Sequence, residues 1–304
     1  MYEDISANRR NSFLLIFLFV AVIGMLGYVF GQLTYFGYAG VGVAVAIAVA
    51  MSIGSYYYSD RVVLTMSRAK LAERDRYPHL FNAVEGLAIA AGVPAPRIYV
   101  IEDSAPNAFA TGRDPEHAAL AVTSGLLDKM DRYELEGVVA HEMSHIKNYD
   151  IRLMTLAVVM VGIILLLSDW LLRSLFWGLG GRDREESNNS FGVALMVAGL
   201  VLAILAPIFA QLLKLAISRQ REYLADASGA MLTRYPEGLA NALRKLAADP
   251  EPLDVANRAT APLYIFPPKQ RSLGGKVKQL WSTHPPLEER IARLDRLDVH
   301  GEAS

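Results

Sequence analysis

The sequence contains no cysteine. That excludes disulfide bonds and thiolate metal sites, so any bound metal must rest on His, Asp or Glu. It has no surplus of charge either: 30 Lys and Arg stand against 31 Asp and Glu. No one-sided field of the kind that draws nucleic acid or an acidic partner is present. Charge of either sign is scarce, at 20% of the residues, and histidine is scarcer, with six in 304. What fills the chain is apolar: 53% of the residues are hydrophobic and the mean hydropathy is +0.25. That is high for a soluble domain.

The apolar residues are collected in four stretches: Ser12 to Tyr35, Phe36 to Tyr58, Met154 to Ser168 and Phe191 to Leu213. A helix needs about 20 residues to cross a hydrocarbon core of about 30 Å. The first, second and fourth stretches meet that length. The third is shorter before Asp169 and continues as "WLLRSLFW". Four membrane spans are expected. The first is too long for a signal peptide, lacks a small-residue cleavage site and is followed at once by a second span, so it reads as a retained anchor. Arg9 and Arg10 precede the first span, Arg61, Arg68, Lys70, Arg74 and Arg76 follow the second, and Lys214, Arg219 and Arg221 follow the fourth. The positive-inside rule then places both termini and residues 60–150 in the cytoplasm. The connection from Gly178 to Ser190 falls on the far side, although Arg182 and Arg184 run against that assignment.

The expected organisation is a membrane hairpin (1–58), the first part of a polar domain (59–153), a second hairpin (154–217) and the second part of the polar domain (218–304). Lys70 to Ala91 has a helical apolar period, ended by "GVPAP". "RIYVIE" (Arg97 to Glu102), "NAFATG" (Asn107 to Gly112) and "AALAVTSGLL" (Ala118 to Leu127) read as three short strands of a small sheet. A further helix starts behind Asp131, with Glu134 three residues on in a capping-box arrangement, and ends near "NYD" (Asn148 to Asp150).

That helix carries "HEMSH". His141 and His145, at i and i+4, lie on one helix face, where both imidazoles can reach one cation at about 2.0–2.1 Å. Glu142, next to a ligand, can approach a water there without binding metal itself. This is the mechanical content of an HExxH motif. A catalytic zinc commonly has three protein ligands and one open position. The extension with a third histidine is excluded, because Asn148 and Ile151 stand where glycine and histidine are needed. A carboxylate is the better candidate: Glu222 and Asp226, in "SRQREYLADASG", share a helix face, so one can bind metal while the other orients a histidine. Spacing alone leaves open an ordinary charged helix face.

"NAFATG", "HEMSH" with "IKNYD", "SRQREYLADASG" and "WSTHPPLEERIARL" (Trp281 to Leu294) follow one another in this order. Together with four spans they resemble the HtpX family of bacterial membrane zinc metalloproteases, relatives of the CAAX prenyl proteases. The resemblance covers nearly the whole chain. It implies a mainly α membrane protein with a cytoplasmic α+β zincin-like domain, and one zinc per chain on His141, His145 and Glu222. Glu142 would be the general base and Asp226 would orient a ligand. His284 resembles the family's His-Pro position and is a candidate oxyanion donor; the alternative is a structural turn before a helix starting near Leu287. "NAFATG" resembles the strand along the family's cleft, with Asn107, Phe109 and Ala110 as candidate contacts to a substrate peptide; the alternative is a plain edge strand. The implied role is quality control of damaged membrane proteins under stress, in the bacterial cytoplasmic membrane. Membrane-protein substrates, lipid and other quality-control proteases are the implied partners, with no nucleic acid. Rival readings are a prenyl-protein processing protease, a non-catalytic scaffold or holdase, and a channel or transporter.

Overall fold

A computed structural model describes residues 2–33, 37–178, 197, 199–201, 218–255, 260–266 and 285–301. The fourth apolar stretch, apart from four positions, and His284 lie outside the described residues. In chain order the elements are α1 (Tyr2–Leu33), α2 (Gly37–Met66), β1 (Lys70–Leu71), α3 (Pro78–Ala91), β2 (Arg97–Ile101), β3 (Ala108–Gly112), β4 (Ala118–Thr123), α4 (Ser124–Lys129), α5 (Arg132–Lys147), α6 (Asp150–Gly178), α7 (Arg219–Thr233), α8 (Pro236–Ala248) and α9 (Leu287–Gly301).

The chain divides into two compact units. One comprises Met1–Arg9, Ser59–Thr155 and Ala216–Ser304; the other comprises Arg10–Tyr58 and Leu156–Leu215. In the second unit, α1 and α2 meet through glycines: a Cβ on Gly27 would lie 2.2 Å from that of Ala44, and one on Gly31 would lie 2.1 Å from the Gly37 carbonyl oxygen. Small residues let helix backbones approach where lipid supplies no hydrophobic drive. Large apolar side chains such as Phe13 and Phe17 point outward. Among the described residues three helical segments, Ile5–Leu33, Gly37–Met66 and Asp150–Ser168, are long and apolar enough to cross a membrane.

The first unit holds a four-stranded mixed sheet in the order β1-β2-β4-β3. β2 and β4 are parallel, with Ile98 opposite Leu120; β3 runs antiparallel to β4, with Ala110 opposite Leu120. Two expectations from the sequence are corrected here. Lys70 to Ala91 is not one helix. Lys70 and Leu71 pair with Val100 and Tyr99 as β1, and the helix begins only at Pro78, in its first turn. A proline inside a helix lacks the N–H that the ladder needs, whereas at the first position it costs nothing. Nor does Ala118 to Leu127 run on as a strand. The Thr123 side chain accepts the Leu126 N–H and starts α4, so the apolar "GLL" belongs to a helix. The sheet therefore has four strands where three were expected.

α5 is the central helix of this unit. Asp131 and Glu134 form the expected capping box, and Lys245 of α8 closes on the Glu134 carboxylate. Val138, Val139 and Met143 are buried together with Leu120, Val122 and Leu243. Between α5 and α8 the contact is backbone to backbone: a Cβ on Gly137 would lie 2.6 Å from the Leu239 nitrogen.

Candidate metal centre

His141 and His145 lie one turn apart on α5, with ring centroids 4.8 Å apart and the rings edge to face. Their Nε2 atoms are 3.2 Å apart. Glu222, in the first turn of α7, faces them from behind the Ser218 cap. One of its oxygens is 3.6 Å from His145 Nε2 and the other 3.9 Å from His141 Nε2. All three residues are buried, and their ligand atoms fall within 4.8 Å of one another. Bonds of about 2.0–2.1 Å to one tetrahedral ion require ligand atoms about 3.3–3.4 Å apart, which is close to what these side chains already provide.

Each histidine has its other nitrogen on a carboxylate. His141 Nδ1 lies 2.9 Å from Asp226 Oδ1, and His145 Nδ1 lies 3.0 Å from Asp150 Oδ2. These contacts set the ring orientation and leave both Nε2 lone pairs for a cation. Asp226 is in turn held by Arg290 of α9. Nη2 donates to one of its oxygens at 2.7 Å and Nε to the other at 2.8 Å, a forked pair.

Glu142, also buried, points from α5 toward β3, where its Oε2 accepts the Ala110 N–H at 2.8 Å. β3 is an edge strand of the sheet. Its outward backbone groups belong to Ala108, whose carbonyl accepts the Ile265 N–H at 2.9 Å, and to Ala110. The backbone of Phe109 alternates toward β4, and its ring packs edge-on against Tyr264 at 5.0 Å. The Asn107 amide donates to the Phe266 carbonyl at 2.9 Å and accepts the Phe266 N–H at 3.3 Å. Of the three strand positions picked out in the sequence, only Ala110 turns its N–H to the site. Asn107 and Ala108 are paired with the chain's own residues 265 and 266.

Residues 74–298 match the profile of Peptidase family M48. The chain belongs to this family. Among its relatives is a Protease HtpX homolog of Dictyoglomus thermophilum, 49% identical over 293 residues, which is 96% of this chain and 93% of that protein. Another, of Caldanaerobacter subterraneus subsp. tengcongensis, is 46% identical over 98% of both chains. A solved structure of S. mikatae Ste24p overlaps with a TM-score of 0.48 at 18% identity, covering 97% of this chain and 67% of that one.

The electrostatics of this M48 site favour a divalent cation. Among the described residues four carboxylates, Glu142, Asp150, Glu222 and Asp226, surround it, against the guanidiniums of Arg290 and Arg221. With every group ionised, the formal excess is two negative charges. Buried charge of one sign must be matched. Without a metal the site attracts a proton instead: burial works against a charged His145, yet Asp150 and Glu222 outweigh it and hold its pKa up to about 9. Burial also raises Glu142, although His141 and His145 pull the other way. Burial would raise Asp226 as well, but Arg290 and His141 bring it down to about 2.

Asp150 and Arg290 are two members of the site that the sequence pattern does not single out. Asp150 lies five residues past His145, within a turn that reads as a helix end. Arg290 lies within the quoted "HPPLEERI" run, but nothing in its spacing separates it from Arg293 and Arg296. Besides Asp226 it donates to the Ile265 carbonyl at 3.1 Å, so it ties α9 both to a histidine's carboxylate and to the segment beside β3.

Proposed function

We propose that this M48 chain is a membrane zinc endopeptidase whose site faces the cytoplasm, with one zinc held by His141, His145 and Glu222. The observation that carries this is the buried trio with its acidic excess, set beside an acid that binds none of the three. When bound, zinc would supply Lewis-acid polarisation of the scissile carbonyl and acidify the attacking water. Glu142 takes the proton of that water and delivers it to the leaving amine, a task suited to a carboxyl raised by burial. Asp150 and Asp226 hold the histidine rings in place. The Ala110 N–H, now on Glu142, is released to a substrate backbone when Glu142 turns to water, and strand pairing beyond it aligns the peptide. Relatives named as HtpX proteases support the protease reading, and we extend it to a role in clearing damaged membrane proteins, with such proteins, lipid and other quality-control proteases as partners. Four spans with both termini in the cytoplasm complete the reading.

Purified full-length protein in detergent should contain one zinc per chain and cleave casein, and chelation should stop the cleavage until zinc is returned. Glu142→Gln should keep the zinc and lose turnover by at least a hundredfold, the low end of what a general base contributes. Undiminished turnover in Glu142→Gln would remove that residue from the chemistry, and unchanged zinc content in Glu222→Gln would require another third ligand.

A further inference from the structure

The carboxylate behind His145 is itself held from the start of α1. Asp150 gives Oδ2 to His145, and its Oδ1 accepts from the Asn8 side-chain amide at 2.6 Å. The same NH2 donates to the Asn148 carbonyl at 3.0 Å. At its other end, Asn8 Oδ1 accepts from Arg221 Nε at 3.0 Å, and that nitrogen also lies 3.3 Å from Asp150 Oδ1. Asn8 is 2% exposed. Next to it, the Arg9 guanidinium stacks over the Tyr149 ring at 4.7 Å. Asn8 and Arg9 thus grip the corner where α5 ends and α6 begins, and Asn8 joins that corner to the residue preceding Glu222.

The partners call for a neutral amide. Two acceptors face the NH2 and one donor faces the oxygen, which matches the donor and acceptor set of asparagine. An aspartate would set oxygen against the Asp150 carboxylate and the Asn148 carbonyl. An alanine would leave both with one donor fewer in a dry place.

We propose that Asn8 is a positioning residue for the metal centre. It fixes Asp150, hence the ring of His145, and links that ring to the helix start that carries Glu222. The inference rests on the metal reading given above. It makes the residues leading into the first apolar stretch part of the site, so a change there alters metal affinity with no ligand touched.

The test uses full-length protein in detergent, in the Glu142→Gln background so that metal is held and nothing is cut. Asn8→Ala, Asn8→Asp, Asp150→Asn and the double variant Asn8→Asp/Asp150→Asn are compared with that parent. The readouts are zinc retained against a chromophoric chelator and the visible absorption of the cobalt(II)-substituted protein. Loss of a partner behind a ligand weakens metal binding by about 10–100-fold. Asn8→Ala should lie near the low end and Asn8→Asp near the high end, both with shifted cobalt bands. The double variant restores an acid–amide pair with the roles exchanged, and should hold metal about tenfold better than Asn8→Asp, a coupling that independent sites do not show. Parent-like affinity and cobalt bands in both Asn8 variants would overturn the inference, as would a double variant whose loss is the product of the two single losses. A parent that takes up no metal would overturn the metal reading itself, which separates the two failures.

Discussion

Arg290 is a guanidinium with no exposure to solvent, and Asp226 takes two of its donors. Removing one partner of a buried pair strands the other, at a cost of about 3–5 kcal/mol. Arg290→Met should therefore lower the unfolding free energy of the metal-free protein by that amount. Arg290→Met/Asp226→Leu should recover part of it, because an apolar pair of similar volume is tolerated, while the Ile265 carbonyl and Glu222 still lose the guanidinium beside them. Metal binding should stay weak in the double variant, since His141 Nδ1 has lost its acceptor. Denaturant titration and zinc retention measured together separate the two effects. The pH dependence follows from the same pair. The Asp226 pKa is held at about 2, below its ordinary 3.8. A depressed folded-state pKa contributes stability that is complete above the unfolded value and is lost as pH falls through the folded one. The window is thus about pH 4 down to 2, the size about 2–3 kcal/mol, and Arg290→Met should flatten it. His141, Glu142 and His145 were legible in the sequence because their chemistry is written into one turn of a capped helix, and Glu222 with Asp226 repeats that spacing. Arg290 reaches Asp226 across 64 residues, and no local period records such a contact.

At the scale of elements, two glycines set how closely α5 approaches its neighbours α7 and α8. A Cβ on Gly229 of α7 would lie 3.0 Å from the His141 nitrogen and 3.3 Å from its Cα, so Glu222 and His141 are kept in register by a missing side chain. Gly137 of α5 does the same toward Leu239 of α8, but α8 carries none of the site residues. Larger residues at either position meet backbone, which gives way poorly, and overpacking costs about 1–3 kcal/mol. The outcomes should differ. Gly229→Val should push α7 off α5 and weaken zinc binding by more than tenfold. Gly137→Ala should lower the thermal midpoint, yet leave zinc affinity of the folded protein within about twofold. Equal zinc affinity in both variants would show that the α5–α7 spacing does not set the metal geometry. The capping box, β2 and β3 were readable from local chemistry. β1 was not: a two-residue strand is made by its partner β2, and the helical period of Leu71 and Leu80 ran across Pro78, the residue that marks where the helix must begin.

For the whole molecule, the parity of membrane crossings decides which side each half of the site is on. Met1–Arg9, Ser59–Thr155 and Ala216–Ser304 belong to one compact unit, and the metal trio draws on residues 141–145 and 222. A chain that leaves this unit for the bilayer must return to the same side before rejoining it. α1 and α2 are each apolar over a full crossing length, and on the proposed four-span reading they make one such excursion. On the same reading α6 begins another, and its return would fall to Phe191 to Leu213, which is long enough and uncharged. Three crossings would put Glu222 on the opposite side of the membrane from His145. Because the chain has no cysteine, single cysteines report sidedness without background. Glu116→Cys, at a position exposed beyond β3, and Ser304→Cys should react with a membrane-impermeant maleimide only after the cells are permeabilised. Thr34→Cys, between α1 and α2, and Asn189→Cys, between the last two stretches, should react in intact cells. Labelling of Asn189→Cys together with Ser304→Cys in intact cells would mean that the fourth stretch does not cross. Protection of Asn189→Cys alongside Glu116→Cys would mean that neither α6 nor the fourth stretch does, and the membrane would then contribute nothing to joining the two halves of the site.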